Sequence, residues 1–341
     1  FFFFNKAIRA FFAFTYLSLV FIFFLKIHIS TIYKLSLIFL AIIAAGTPPI
    51  DWDSWAIWLF HAKRIFIEEN FFITLNDYAN IHNDYPLIVP SFMVSFSNLI
   101  NGWNLILPKF SIFLLYLPPL IFAEAVFNKK INLLVLIFTI LNFNVFLFNG
   151  YIDGLVAIYF SFSVYLLFKI FFEEKENVID YIILCCFLTI LSVLKNEGFV
   201  LVLIILSLLI FKNLFNTKKI ITLNRHILIY LSLIPYILWR FVSTYNGVQT
   251  DLFDSANFER IVSYSIFIKT FYIIFQNLFF NINTLLSIIL LLLSFYFCKN
   301  KRLLNITVYC SLVYILILFA IYTVTPHNLE WHLNTSSDRV L

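Results

Sequence analysis

Apolar stretches recur at roughly 10–25, 31–46, 86–101, 104–127, 131–149, 151–172, 179–194, 199–215, 226–243, 281–298 and 303–323. Most are close to the ~20 residues that carry an α-helix across a ~30 Å hydrocarbon core. A free backbone finds no partner in lipid, so such runs are helices rather than open strands. The pattern predicts an all-α polytopic membrane protein with about ten or eleven transmembrane or re-entrant helices. It forms one transmembrane domain over 1–341, with no internal repeat and no low-complexity linker. Two stretches between the runs are long, 47–85 and 244–280, and a polar tail covers 324–341.

Lysine and arginine positions orient the chain. The most basic loops are "FKNLFNTKKIITLNR" (211–225) and "CKNKR" (298–302), so both are expected inside. Counting outward places 47–85, 244–280, 324–341 and the turns at 150–154 and 195–198 on the other side. Three runs between 86 and 149 conflict with two outside flanks, because parity allows an even number of crossings. Either one of them is re-entrant or the first two do not both span. Lys6 and Arg9 also fall on the outside, against the charge rule.

Ionisable groups are tolerated in membrane proteins where they are paired or functional. Four polar islands share the predicted outer face: "DWDSW" with the segment after it, "YIDG", "KNEG", and "HNLEWHLNTSSDR". In 51–66, Trp55, Trp58, Leu59, Ala62, Ile65 and Phe66 recur at helical spacing, with His61, Arg64 and Glu68 opposite. That predicts an amphipathic helix over 54–67 lying in the interface, its tryptophans at headgroup depth. Asp51 or Asp53 equally suits its N-terminal cap. In "HNDYPLIVPSF", Asp84 and Tyr85 precede Pro86, a helix-start signal, so a cap and an interfacial anchor compete with a binding role. Asp153 stands near Gly150 and Gly154 at the start of a span, as a turn carboxylate or a site residue. Lys195 and Glu197 interrupt some 35 nearly continuous apolar residues. An Asn-Gly turn there would need no charge. In the tail, His327 and His332 lack the i,i+4 spacing of a helical zinc pair.

Composition sharpens the class. Charged residues make up only 12% of the chain, about half the share of a soluble domain. The net charge of +5 gathers in short loops, which signals topology and not nucleic-acid binding. Cys185, Cys186, Cys298 and Cys310 sit in or beside apolar runs, without disulfide or zinc spacing. The chain opens on Phe1 and closes on "SSDRVL", and so reads as a fragment.

Taken in order, "DWDSWAIWLFHAKRIF", "HNDYPLIVPSF", "GYIDG", "LKNEGF" and "EWHLNTSSDRVL" resemble bacterial integral-membrane glycosyltransferases of the GT-C superfamily. The nearest likeness is to the protein-mannosyltransferase and aminoarabinose-transferase branch, over residue 46 to the end, with the chain apparently truncated. The resemblance implies a GT-C-like helical fold whose long first extracytoplasmic loop holds interfacial helices. It implies a polyprenyl-phosphate-linked sugar as donor and a glycan, lipid or protein as acceptor. It puts the catalytic carboxylate on Asp53, with Asp51 competing, and donor-binding roles on Asp84, Tyr85, Asp153, Lys195, Glu197, His332 and Arg339. The expected location is a bacterial inner membrane, with the site facing outward.

The chemistry asks for the same residue types. A carboxylate takes the acceptor's proton, and cations hold the departing phosphate, with arginine offering a fork of donors. No cofactor is required by these groups. Asp51 and Asp53 leave a divalent cation open, since hard cations favour carboxylates. Two other classes stay open: a transporter, whose charges would sit nearer the midplane in repeated halves, and a polytopic protein without chemistry in which each aspartate caps a helix.

Overall fold

The computed structural model describes residues 6–26, 30–78, 82–127, 148–172, 177–215, 223–248, 263–280 and 301–325, with positions 136, 140, 260, 284, 285, 288, 289, 292, 328–330 and 332. Arg339 and His327 lie outside the described residues, as do most of the runs at 131–149 and 281–298. Among the described residues every regular element is helical.

The chain divides into two compact units. The first comprises Phe1–Tyr159, Val193–Asn196 and Trp239–Val248. It holds α1 (Lys6–Lys26) and α2 (Thr31–Gly46), then a π-helical turn Ser54–Leu59 continuing into α-helical Phe60–Glu68, together α3. It continues with α4 (Ile88–Leu99), α5 (Ile106–Val126) and the start of α6 (Asp153–Phe172). The second unit comprises Phe160–Ser192, Glu197–Leu238 and Gln249–Leu341. Its helices are the rest of α6, α7 (Val178–Leu194), most of α8 (Asn196–Phe215), α9 (Leu223–Tyr230), the start of α10 (Ile234–Tyr245), α11 (Tyr264–Phe280) and α12 (Lys301–Val324).

Among the described residues, four helical stretches are long and apolar enough to cross a membrane: Ile106–Val126, Asp153–Phe172, Ile227–Tyr245 and Lys301–Val324. Shorter apolar helices include Thr31–Gly46, Val178–Leu194 and Tyr264–Phe280. Outward faces are apolar as well. On α2, Ile32, Leu35, Phe39 and Ile42 are each more than 60% exposed, a continuous stripe that water would not tolerate but lipid does.

The 86–101 run forms only the 12-residue helix Ile88–Leu99. At 1.5 Å per residue it is roughly 18 Å long, short of a bilayer core. Of the two described runs in the parity conflict, this one is too short to span, whereas Ile106–Val126 is long enough. Its helix starts at Ile88, so Pro86 is not its first residue, and Leu87 precedes it without a side-chain cap. The 244–280 segment, read as a loop, holds the 17-residue helix α11.

In the first unit α4 packs against α1, α3 and α5, and α2 packs against α5. The α5 helix contains Pro118 and Pro119 in succession. Each proline lacks the N–H that would bond four residues back, which strips Leu114 and Leu115 of their helical partners. Tyrosine hydroxyls from other helices replace both donors. Tyr16 bonds the Leu114 carbonyl at 2.8 Å and Tyr159 the Leu115 carbonyl at 2.9 Å. Tyr33 adds a bond to the Leu120 carbonyl at 3.0 Å. Within the second unit, Lys169 near the end of α6 pairs with Asp180 in the first turn of α7 at 3.0 Å, and α11 packs on α12 around Ile274, Leu318 and Tyr322.

Candidate functional site

The α3 segment is helical, as its pattern predicts, but its faces differ from the expectation. Trp58 is 1% exposed while Trp55 is 45% exposed. His61 and Arg64, assigned to the polar side, are buried. The π turn explains the divergence. Its wider winding, marked by the Phe60 N–H reaching the Trp55 carbonyl, breaks the register that sets i and i+3 on one stripe. The helix therefore packs within protein on α4. Two of the Arg64 nitrogens find partners internally: Nη1 donates to Glu68 at 3.2 Å and Nη2 to the Phe71 carbonyl at 2.7 Å. Burial pushes the Arg64 pKa down and the Glu68 carboxylate draws it back up.

Asp53 precedes the π turn and makes no side-chain cap. It is nonetheless buried, a costly position for a carboxylate with only a capping purpose. The half-buried Asp51 accepts a hydrogen bond from Asn149 Nδ2. Asn149 is fully buried. Its backbone carbonyl accepts from Ser54 Oγ at 2.7 Å, and its side-chain oxygen from the Tyr151 N–H at 3.2 Å. "DWDS" and "NGYID" are thus locked together. Gly150 allows this contact: its φ is 101°, and a Cβ there would stand 3.2 Å from Ser54 Oγ.

Asp153 is the first residue of α6. Its carboxylate takes Lys195 Nζ at 2.9 Å. Lys195 is the single residue between α7 and α8 and is buried. Its ammonium also lies 5.6 Å from the centre of the Tyr85 ring, a cation–π distance. Tyr85 stacks against Trp58 at 5.8 Å and His82 at 4.7 Å. Next to it, buried Asp84 accepts from Asn196 Nδ2 at 2.8 Å, and its backbone carbonyl from Trp239 Nε1 at 3.2 Å. Asp84 is therefore not the cap of α4.

The first unit gathers the "DWDSW", "HNDYP", "GYIDG" and "LKN" segments, with Asp51, Asp53, Asp84, Tyr85, Asp153 and Lys195 among them. Glu197 and His332 belong to the second unit. Glu197 lies in the first turn of α8. There Gly198 meets Leu191 so closely that a Cβ would be 2.1 Å from its carbonyl oxygen, so the "KNEG" turn is also a tight helix hairpin. His332 Nδ1 lies 2.7 Å from Thr325 Oγ1, and its ring is 5.0 Å from that of Tyr322.

The polar residues that hold the site were not singled out in the sequence. Asn149 and Asn196 stand inside the quoted motifs but read as turn residues. Trp239 is an apolar-run residue with one polar tip. Lys109 is one of two charges in the 104–127 run, and the rarity of intramembrane charge would have found it. It is buried and donates to the Ala44 and Thr47 carbonyls, closing the C-terminal end of α2.

Among the described residues no three His, Cys, Asp or Glu side chains stand close enough to hold a metal. Asp51 accepts from Asn149, and no step is routed through a divalent cation. A cavity of about 220 Å³ opens among Leu17, Val20, Leu37, Ile38, Ala41 and Phe113. It is apolar, and none of the candidate residues lines it. No family model, no curated protein and no solved structure matches the chain.

Proposed function

We propose that this chain is a membrane glycosyltransferase that moves a sugar from a polyprenyl-phosphate carrier to an acceptor on the extracytoplasmic side. The observation that carries the reading is the gathering, in one compact unit, of the aspartates Asp51, Asp53, Asp84 and Asp153 and of Lys195, from segments up to 144 residues apart, Asp51 to Lys195. Helix caps scattered for local reasons would not converge so. The donor is a lipid, which is why the polar groups stand at the ends of apolar helices.

In this reading the acceptor oxygen attacks the anomeric carbon. The bond from that carbon to the phosphate oxygen breaks, and the phosphate leaves with the electron pair. The acceptor's proton passes to a carboxylate, Asp53 first and Asp51 second. Asn149 steers Asp51, and Lys195 positions Asp153. Tyr85, Asp84, Glu197, His332 and Arg339 are assigned to donor binding, with Arg339 as a phosphate clamp.

The test is transfer from a labelled polyprenyl-phosphate sugar by the reconstituted protein. Asp53→Asn keeps shape and hydrogen bonding but loses the base, and turnover should fall about 10²- to 10⁴-fold with donor binding retained. Arg339→Ala should weaken donor binding and turnover together. Loss with Asp51→Asn but not Asp53→Asn moves the base by two residues. Full transfer by the double variant, or solute uptake without transfer, overturns the proposal.

A further inference from the structure

Five charged side chains of the first unit meet where the start of α1 adjoins the end of α3. Lys6 pairs with Glu69 at 2.6 Å, and Arg64 with Glu68 at 3.2 Å. The second Glu68 oxygen accepts from the Thr74 hydroxyl. Both carboxylates are thus engaged, and one cation is left over. That cation is Arg9, whose guanidinium lies 5.7 Å from the centre of the Phe71 ring. Arg64 reaches the same residue, through the Phe71 carbonyl.

Arg9 is 1% exposed and Arg64 5%. Arginine does not shed its proton in proteins, and the Glu69 carboxylate whose field reaches Arg9 is exposed and already paired with Lys6, so the buried charge is only partly offset, a costly arrangement. The hydrogen bonding is incomplete as well. Arg9 Nε and Nη1 and Arg64 Nε are buried without a hydrogen-bond partner. Three buried N–H donors are therefore unmatched around a single aromatic residue, in a cluster where cations outnumber carboxylates by one.

We propose that Arg9 and Arg64 bind a phosphate-class oxyanion beside Phe71. Flat guanidinium donors favour oxyanions over spherical ions. Three cations against two carboxylates leave a charge of one, and a phosphodiester carries one negative charge. The oxyanion is either the headgroup of an anionic membrane lipid or free phosphate. The site is separate from the Asp51–Lys195 cluster and does not depend on sugar transfer.

The full chain, purified in detergent and stripped of lipid, would be melted against a short-chain phosphatidylglycerol, inorganic phosphate, and a neutral diacylglycerol of equal chain length. A saturable rise in Tm with phosphatidylglycerol alone assigns the lipid headgroup, and one with phosphate alone assigns the free ion. The diacylglycerol should give none. Arg9→Gln should raise the half-saturating concentration at least about tenfold, about the weight of one charge-assisted bond. The exposed Lys63→Gln should leave it unchanged. Should Arg9→Gln not fold, phosphorus in the denatured extract of the wild-type protein, taken before stripping and after gel filtration, decides: about one per chain supports the site and none overturns it. No saturable shift with either ligand, or an equal shift in Arg9→Gln, overturns it too.

Discussion

At the level of single residues, the Asp153–Lys195 pair shows how burial sets the cost of a charge. The Lys195 side chain is 8% exposed and that of Asp153 21%. Asp153→Asn leaves the more buried ion without its carboxylate, at a cost of about 3–5 kcal/mol. Lys195→Met should cost less, because Asp153 is wetter and stands at a helix N-terminus that favours negative charge. The double variant Asp153→Asn/Lys195→Met should regain most of the stability. Unfolding by denaturant in detergent would show it, and additive losses would mean that the two side chains do not act as a pair. Gly150 is constrained differently. Alanine there meets both a left-handed φ and Ser54, so Gly150→Ala should destabilise by about 1–3 kcal/mol. Gly46→Ala is the control: open space surrounds it, and its effect should stay within about 0.5 kcal/mol. Equal effects at the two glycines would dismiss the Gly150 lock.

At the level of elements, periodicity found the helices and misread one face. The α3 helix was legible because its apolar residues recur at helical spacing over 54–67. Its π turn was not, because no residue type announces it, and one extra residue in a turn redirects every side chain beyond it. The α11 helix was missed for another reason. Polar and aromatic residues break its apolar run, as in "YSIFIKTFYIIFQNLFF", so a hydropathy window passes over it. The prolines of α5 carry a signal that extends beyond their own helix, since a missing N–H predicts a donor elsewhere. Tyr16→Phe and Tyr159→Phe should each cost about 1–3 kcal/mol by orphaning a buried carbonyl. Restoring the N–H with Pro118→Ala should remove most of the Tyr16→Phe cost, because Leu114 regains a helical partner. A double-variant cycle reads this coupling directly. A Tyr16→Phe penalty that is unchanged in the Pro118→Ala background would show that the hydroxyl does not serve the proline gap.

At the level of the whole molecule, the membrane class was plain from the apolar runs, and the described helices carry it. Parity and charge put four polar islands on one face; of these the first unit holds "DWDSW", "YIDG" and the Lys195–Asn196 part of "KNEG", while Glu197 and His332 fall in the second. Their partners were not legible, because Asn149, Asn196 and Trp239 act through contacts 98 to 155 residues away in sequence, and no local pattern encodes those. Lys6 and Arg9, which broke the charge rule, have a structural explanation: Lys6 pairs with Glu69, and Arg9 lies against Phe71. The start of α1 therefore adjoins the end of α3, which predicts an even number of membrane crossings between them. Single-cysteine variants in a background lacking Cys185, Cys186, Cys298 and Cys310 test this. Lys6→Cys and Glu69→Cys should react with a membrane-impermeant thiol reagent from the same side. Lys218→Cys, in the most basic loop, should react from the other. Labelling of positions 6 and 69 from opposite sides would break the first unit as described. Labelling of 218 together with 69 would leave that unit intact and reverse the orientation, moving the aspartate cluster to the cytoplasmic face and away from an extracytoplasmic sugar donor.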